Sequence, residues 1–139
     1  MHPLNKITNI RNSVKKFFLD SLQAIEGIPV YFTTSHDKED LSEWIFVDCS
    51  NEHIMGHVSR LRVIVYAFTR DDLEYDRLYE ITDKIITYLY SGHMPLYDEN
   101  WNEIGGAKVE VLPSEAIRKT RDRSTFKAMP FVIAWGASW

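Results

Sequence analysis

The longest strand candidate runs from Val58 to Thr69 and reads Val-Ser-Arg-Leu-Arg-Val-Ile-Val-Tyr-Ala-Phe-Thr. Alternate side chains of a strand point to opposite faces of its sheet. One face of this strand would carry Leu61, Val63, Val65 and Ala67, and the other would carry Arg60, Arg62, Ile64, Tyr66 and Phe68. The second face changes from charged to apolar along its length. This change predicts a strand that begins at an exposed edge or interface and continues into the interior, although a solvent-facing start explains the two arginines equally well.

Amphipathic helices are predicted on both sides of this strand. Between Leu4 and Glu26 apolar residues recur at steps of three and four, and Gly27 is placed to end the helix in a left-handed conformation. A second apolar stripe runs from Leu73 to Leu89. The acidic pair Asp71-Asp72 precedes it, and acidic side chains favour the positive end of a helix dipole. We therefore expect a helix to open at this pair.

Shorter apolar runs complete a predicted α+β fold in one domain, residues 1–139. The other strand candidates are Ile28–Thr33, Trp44–Asp48, Met94–Tyr97, Ala107–Leu112 and Phe126–Trp135, and the polar loops between elements are Thr34–Glu43, Cys49–His57 and Asp98–Gly106. Short connections favour a mostly antiparallel sheet with the two main helices packed on it, in the order α-β-β-β-α-(β)-β-β. The last two strands would form a protruding C-terminal β-hairpin across the turn Arg121–Ser124.

Composition excludes several classes of protein. The 139 residues are 45% hydrophobic and 26% charged, which suits one packed core. The net charge of −4 argues against a protein that binds nucleic acid through its phosphates. No apolar run approaches the roughly 20 residues of a membrane span. The N-terminus lacks the pattern of a signal peptide, so we expect the chain in a reducing cytoplasm.

Two sets of residues are weak candidates for catalysis. His53 and His57 have the spacing of two ligands on one helical face, and with Glu52 they would suit a small metal-dependent enzyme, but Gly56 interrupts the turn. A surface loop with two histidines is the alternative. The lone Cys49 could be a nucleophile, but at the end of an apolar strand it is more typical of a small buried hydrophobe. We expect no catalytic residue, no metal and no cofactor.

The distribution of charge suggests contact between copies of the chain. Up to Lys108 there are eleven basic and seventeen acidic residues, a net charge of −6, whereas from Val109 onward five basic and three acidic residues give +2. The basic residues near the predicted hairpin tip are Arg118, Lys119, Arg121, Arg123 and Lys127. A basic hairpin on one copy could face an acidic loop on the next, and such head-to-tail contacts can close into rings. A solvated turn is the alternative interpretation.

The order of these elements resembles the tail terminator, or tail-completion, proteins of long-tailed bacteriophages. The resemblance covers nearly the whole chain and consists of element order, length and the pattern of apolar positions, including Trp44-Ile-Phe-Val47, Arg60 to Phe68 and Pro130 to Trp135. It implies a non-enzymatic virion protein that forms a hexameric ring, caps the tail tube and joins the tail to a head-side connector or neck protein. DNA could pass through such a ring without specific binding.

The resemblance also implies where the contacts lie. The loop Ser35–Glu43, with Asp37, Glu39 and Asp40, and the hairpin tip Arg121–Ser124, with Arg121 and Arg123, correspond to inter-subunit or tube-facing elements. Arg118, close to this tip, is a further candidate for the interface. Arg60 and Arg62 are candidates for pairing with an adjacent copy, because the planar guanidinium can hold a carboxylate through two hydrogen bonds. The implied location is the head-proximal end of the virion tail, after assembly in the host cytoplasm. A phage neck or head-tail adaptor protein is the alternative within the same structural class.

Overall fold

The fold is given by a computed structural model that describes residues 2–32, 41–49, 53–120 and 123–136. A 3-10 turn (Pro3–Asn5) and a π-helical turn (Leu19–Gln23) flank the first helix. The helices are α1 (Ile7–Phe18) and α2 (Asp76–Leu89), and the strands are β1 (Val30–Tyr31), β2 (Glu43–Asp48), β3 (His53–Ile54), β4 (Val58–Arg70), β5 (His93–Tyr97), β6 (Glu103–Val111), β7 (Arg118–Lys119) and β8 (Ser124–Gly136). In these ranges, neither α1 nor α2 is long and apolar enough to cross a membrane. The predicted α+β class is confirmed.

The strands of the described residues form one sheet in the order β1-β2-β4-β8-β6-β5, with β3 beside β4 and β7 beside β8. The β1–β2 pair is parallel and the other pairs are antiparallel. The predicted pairing of the last strand with Ala107–Leu112 is confirmed, since Val109 lies opposite Ile133. The hairpin is present as the short β7–β8 pair, and β8 then continues through the middle of the sheet, paired with β4 from Ser124 to Gly136.

The helices and one face of the sheet enclose the core. The inward face of β4 is the predicted set, and each of its members is at most 1% exposed: Leu61, Val63, Val65 and Ala67. Phe18 of α1 and Phe131 of β8 are fully buried, and their ring centroids lie 6.0 Å apart. α2 contacts β4, β6 and β8 from the same side. The molecule therefore has a helix layer and a sheet layer, and the other face of the sheet points away from the helices.

The first helix ends as the sequence predicts, although its interior is less regular. Gly27 has a φ of +71°, and the Ile28 N–H donates to the Leu22 carbonyl at 3.0 Å. Helices commonly close by a bond of this kind across a left-handed residue, and here it spans one residue more than usual. Within the predicted span, the hydrogen bonds widen to a π-helical turn at Leu19–Gln23. The span Leu4–Glu26 is therefore three successive helical pieces rather than one continuous α-helix.

The second helix begins later than the acidic pair predicts. Asp71 and Tyr75 have φ values of 57° and 60°, so the chain turns twice before α2 starts at Asp76. The Asp72 carboxylate accepts the Leu78 N–H at 2.9 Å, and thus satisfies a donor of the first helical turn from outside the helix. Leu73, a member of the predicted apolar stripe, lies in this loop and is 92% exposed. The prediction that the helix opens at Asp71-Asp72 is wrong for this reason.

Two of the predicted loops contain strand residues. In Cys49–His57, His53 and Ile54 form β3 against Leu61 and Arg60 of β4. In Asp98–Gly106, the turn closes earlier than expected, because the Asp98 carboxylate accepts the N–H groups of Asn100 and Asn102, each at 2.9 Å. β6 then starts at Glu103. In both segments the polar side chains predict a loop, but the backbone is hydrogen-bonded into the sheet.

Candidate functional site

The candidate site lies on the face of β4, β6 and β8 that points away from the helices, which we call the open face. Residues directly opposite each other in antiparallel strands present their side chains on the same face. Across β4, β8 and β6 the register aligns Arg60, Ala134 and Lys108 in one row, and Arg62, Val132 and Glu110 in the next. The two arginines that the sequence places at the start of the strand therefore share a surface with charges from β6.

These rows form a groove with an apolar floor and a charged rim. This sheet groove is lined by Val58, Arg60, Lys108, Val109, Glu110, Val132 and Ala134. Arg60, Lys108 and Glu110 of this lining are exposed, and Arg62 is exposed next to them, opposite Val132. These four side chains, which we call the rim, carry three positive charges and one negative charge. Val58 is 50% exposed and Ile54, opposite Arg60, is 48% exposed. Exposed apolar atoms beside arginines are typical of a surface that another protein covers.

Farther along the open face, aromatic rings pack against one another. Trp44 and Phe68 are stacked with centroids 4.9 Å apart, and Phe46 and Tyr66 are stacked at 5.4 Å. Phe126 of β8 lies 5.2 Å from Phe68. We call these five rings the aromatic cluster. Because the rings shield one another, Trp44 is only 5% exposed although it is outside the core formed with the helices.

Charged side chains near the aromatic cluster shift the pKa of Tyr66. Burial is the largest cause that raises the pKa of the Tyr66 phenol, and the carboxylates of Asp48 and Glu115 raise it further. The positive charges of Arg118 and Arg62 act in the opposite direction. Tyr66 is therefore neutral at physiological pH. The aromatic cluster is an apolar surface with charged groups around it.

Three of the predicted contact residues share the open face. Arg60 lines the sheet groove, Arg62 lies next to it opposite Val132, and Arg118 lies opposite Phe126 beside the aromatic cluster. Arg123 is at the hairpin turn, where its side chain is 80% exposed and lies 3.8 Å from the Asp71 carboxylate. The other candidates lie outside the described residues: Asp37, Glu39, Asp40 and Arg121. The structure therefore places the arginines of β4 and β7 on one face of the sheet, but at opposite ends of it.

The two histidines do not have helical geometry. His53 is a strand residue whose ring stacks on Trp135 with centroids 6.0 Å apart, whereas His57 lies in an exposed bend before β4. The spacing of two ligands on one turn of a helix is thus not realised. Within the described ranges, no three His, Cys, Asp or Glu side chains are grouped as metal ligands. Glu52, the proposed third ligand, lies outside those ranges.

The Cys49 thiol is predicted to react slowly in the folded protein. Cys49 is 6% exposed, and burial raises the pKa of its thiol to about 11. Only the thiolate attacks a disulfide reagent. At pH 8 we expect modification by such a reagent to be roughly 200-fold slower in the native chain than in urea, given an ordinary thiol pKa near 8.5. A stopped-flow absorbance assay measures both rates, and equal rates would contradict the buried position.

The sequence alone does not identify Lys108, Val132 and Ala134 as parts of the site. Each lies in a predicted strand, and alternation correctly separates Lys108 from the buried Val109. Their place beside Arg60 follows only from the register of β8 between β4 and β6. The sequence therefore predicts on which face of its strand each side chain lies, but not which residue lies opposite it in the neighbouring strand.

Comparison with known proteins does not assign the chain to a family. No protein-family model matches the sequence, and no curated protein matches it with significant similarity. The resemblance to tail terminators therefore stays a prediction from the sequence.

Proposed function

We propose that the protein is a structural subunit of a long-tailed bacteriophage virion that assembles into a ring, terminates the tail tube and joins the tail to the head-side connector. The observation that carries this proposal is the sheet groove. Arg60 and Lys108 line it beside a floor of Val132 and Ala134, and Arg62 lies next to it, opposite Val132; all three basic side chains are exposed. Such a surface is suited to a protein partner that contributes carboxylates and apolar atoms.

The same proposal accounts for the choice of arginine at the groove. An arginine guanidinium is planar and weakly hydrated, and it can hold a carboxylate through two parallel hydrogen bonds. Arg60 and Arg62 project from consecutive outward positions of β4, a 13-residue strand whose other face lies in the core. A rigid strand of this kind presents both side chains at fixed spacing. The partners of the proposed ring are a second copy, the tail tube protein and the connector or neck protein.

The ring is tested by the mass of the assembled protein. Six chains of 16.3 kDa give about 98 kDa, which native mass spectrometry or light scattering over a concentration series distinguishes from a monomer. We expect a closed ring in negative-stain images of the large species. Added to polymerising tail tube protein, the ring should bind one end of the tube and stop its growth.

Two results would contradict this function. A chain that is monomeric at all concentrations, and that leaves tube growth unchanged, is not a terminator. A chain that purifies with connector-bearing heads and does not bind tubes is a neck or adaptor protein instead. The tube assay therefore separates the two structural roles, because only a terminator has to recognise the tube end.

A further inference from the structure

We infer that the sheet groove of one copy receives the outer face of helix α2 from the next copy. This inference rests on the proposed function and names the two surfaces that build the ring. It places Arg60, Arg62 and Lys108 opposite carboxylates of a second chain. The occupant is thus a second copy of this protein.

The outer face of α2 carries the carboxylates that would pair with the basic side chains of the groove. Exposed residues recur along α2 at steps of three and four, which places them on one side of the helix. We call them the acidic stripe, and they are Asp76, Tyr79, Glu80, Asp83, Thr87 and Tyr90. Its three carboxylates complement the groove rim, where three positive charges outnumber the one carboxylate of Glu110. Tyr79 is 50% exposed and Tyr90 is 72% exposed, so the stripe also offers aromatic surface to the apolar floor.

Salt bridges within the chain leave the negative charge of the stripe largely in place. Arg77 holds Glu43 through two hydrogen bonds of 2.8 Å and also lies 3.0 Å from Glu80. The Glu80 side chain nevertheless remains 62% exposed. Lys84, the other basic residue of α2, points to Glu26 at 2.9 Å. The basic residues of this helix thus lie toward their own molecule, and the carboxylates lie outward.

The position of the two surfaces makes the contact head-to-tail. α2 packs on β4, β6 and β8, and the sheet groove lies on the opposite face of the same three strands. A contact between groove and stripe therefore uses two different patches, and each added copy leaves one groove and one stripe free. Contacts of this type continue until a ring closes, or they extend into a filament. A ring wall can be built in this way from repeats of one interface.

Two double variants test the inference. In Arg60→Glu/Arg62→Glu the charge of the groove is reversed, and in Glu80→Lys/Asp83→Lys the charge of the stripe is reversed. We expect each variant alone to be monomeric at concentrations roughly tenfold above those at which the wild type assembles, because like charges then face each other. In an equal mixture, the intact stripe of the first variant binds the intact groove of the second. The reversed groove of the first variant also complements the reversed stripe of the second, so the mixture should assemble again, into rings in which the two chains alternate, as measured by native mass spectrometry.

A control on the first helix separates loss of this contact from a general effect of charge. Lys6 and Arg11 are exposed at the start of α1, and Lys6→Glu/Arg11→Glu makes the same change in charge as the groove variant, so we expect it to assemble as the wild type does. Thermal unfolding should show that all variants are folded, since exposed charges contribute little to stability. Assembly of both test variants overturns the inference and leaves the ring proposal standing. Loss of assembly in the control variant, or only in the groove variant, also overturns it, because these results indicate a general effect of charge or a groove-to-groove contact.

Discussion

Replacement of Phe131 by alanine is expected to lower the free energy of unfolding by about 3 to 5 kcal/mol. Phe131 is fully buried, and its ring contacts Phe18 of α1 at a centroid distance of 6.0 Å. It lies between Val63 of β4 and Val111 of β6, so the side chain joins the central strands to the helix layer. Its loss leaves a cavity that rigid strands on both sides cannot fill. Urea denaturation followed by circular dichroism measures the change.

Phe126 provides the matched control in the same strand. It is five positions from Phe131 along β8, so its side chain emerges on the open face, where it is only half-buried. We expect Phe126→Ala to cost less than Phe131→Ala, and neither variant to change the slope of the denaturant dependence. Equal losses would argue against the separation of the sheet into a core face and an open face.

These two phenylalanines also show how far the sequence predicts the fold. Local patterns are sufficient for the strand cores and helices: alternation identifies both faces of β4, and the step of three and four residues identifies α1. The central position of β8 does not follow in this way. Its last segment is apolar at most positions, and the sequence predicts one partner, β6, whereas pairing with β4 joins residues more than fifty positions apart. Such pairing depends on the whole core rather than on local preference.

The start of α2 shows that residue types alone do not predict where a helix begins. Asp71-Asp72 has the acidic character of a first helical turn, but Asp72 accepts a hydrogen bond from Leu78, six residues later. A loop that caps a helix from this distance requires the positive φ values of Asp71 and Tyr75, which neither residue type predicts. The exposed Leu73 is a consequence of the same loop. Helix boundaries therefore need tertiary geometry even where the helix itself is evident.

For the candidate site, the sequence indicates which residues take part, but not which residues they would pair with. Arg60 and Arg62 stand out because they are charged at the start of an apolar strand, and both lie on the open face. The sequence favours an acidic partner in the loop Ser35–Glu43, most of which lies outside the described residues. The carboxylates of the acidic stripe, by contrast, look in the sequence like the polar side of a helix. Their relation to the groove is evident only when α2 and the groove are seen on opposite sides of β4, β6 and β8.

Replacement of Trp44 by alanine is the second change expected to have a large effect, about 2 to 4 kcal/mol on the free energy of unfolding. Trp44 is 5% exposed, is stacked on Phe68 at 4.9 Å, and has the Arg70 guanidinium 5.1 Å from its ring centroid. Removal of the indole exposes the ring of Phe68 and leaves Arg70 without its aromatic contact. Thermal unfolding should show a lower midpoint, whereas Trp44→Phe, which keeps a ring on Phe68, should lose only about 1 kcal/mol.

Trp44→Ala also tests whether the aromatic cluster only stabilises the fold or is part of the surface that binds another copy. The stack of Trp44 on Phe68 is already complete within one chain, whereas the sheet groove has exposed apolar atoms and unburied arginines at the other end of the open face. Below its unfolding midpoint, Trp44→Ala should therefore assemble at the same concentration as the wild type. Arg60→Glu/Arg62→Glu should show the reverse, an unchanged midpoint and lost assembly. If folded Trp44→Ala fails to assemble, the partner also covers the aromatic cluster, and the contact extends along the whole length of β4.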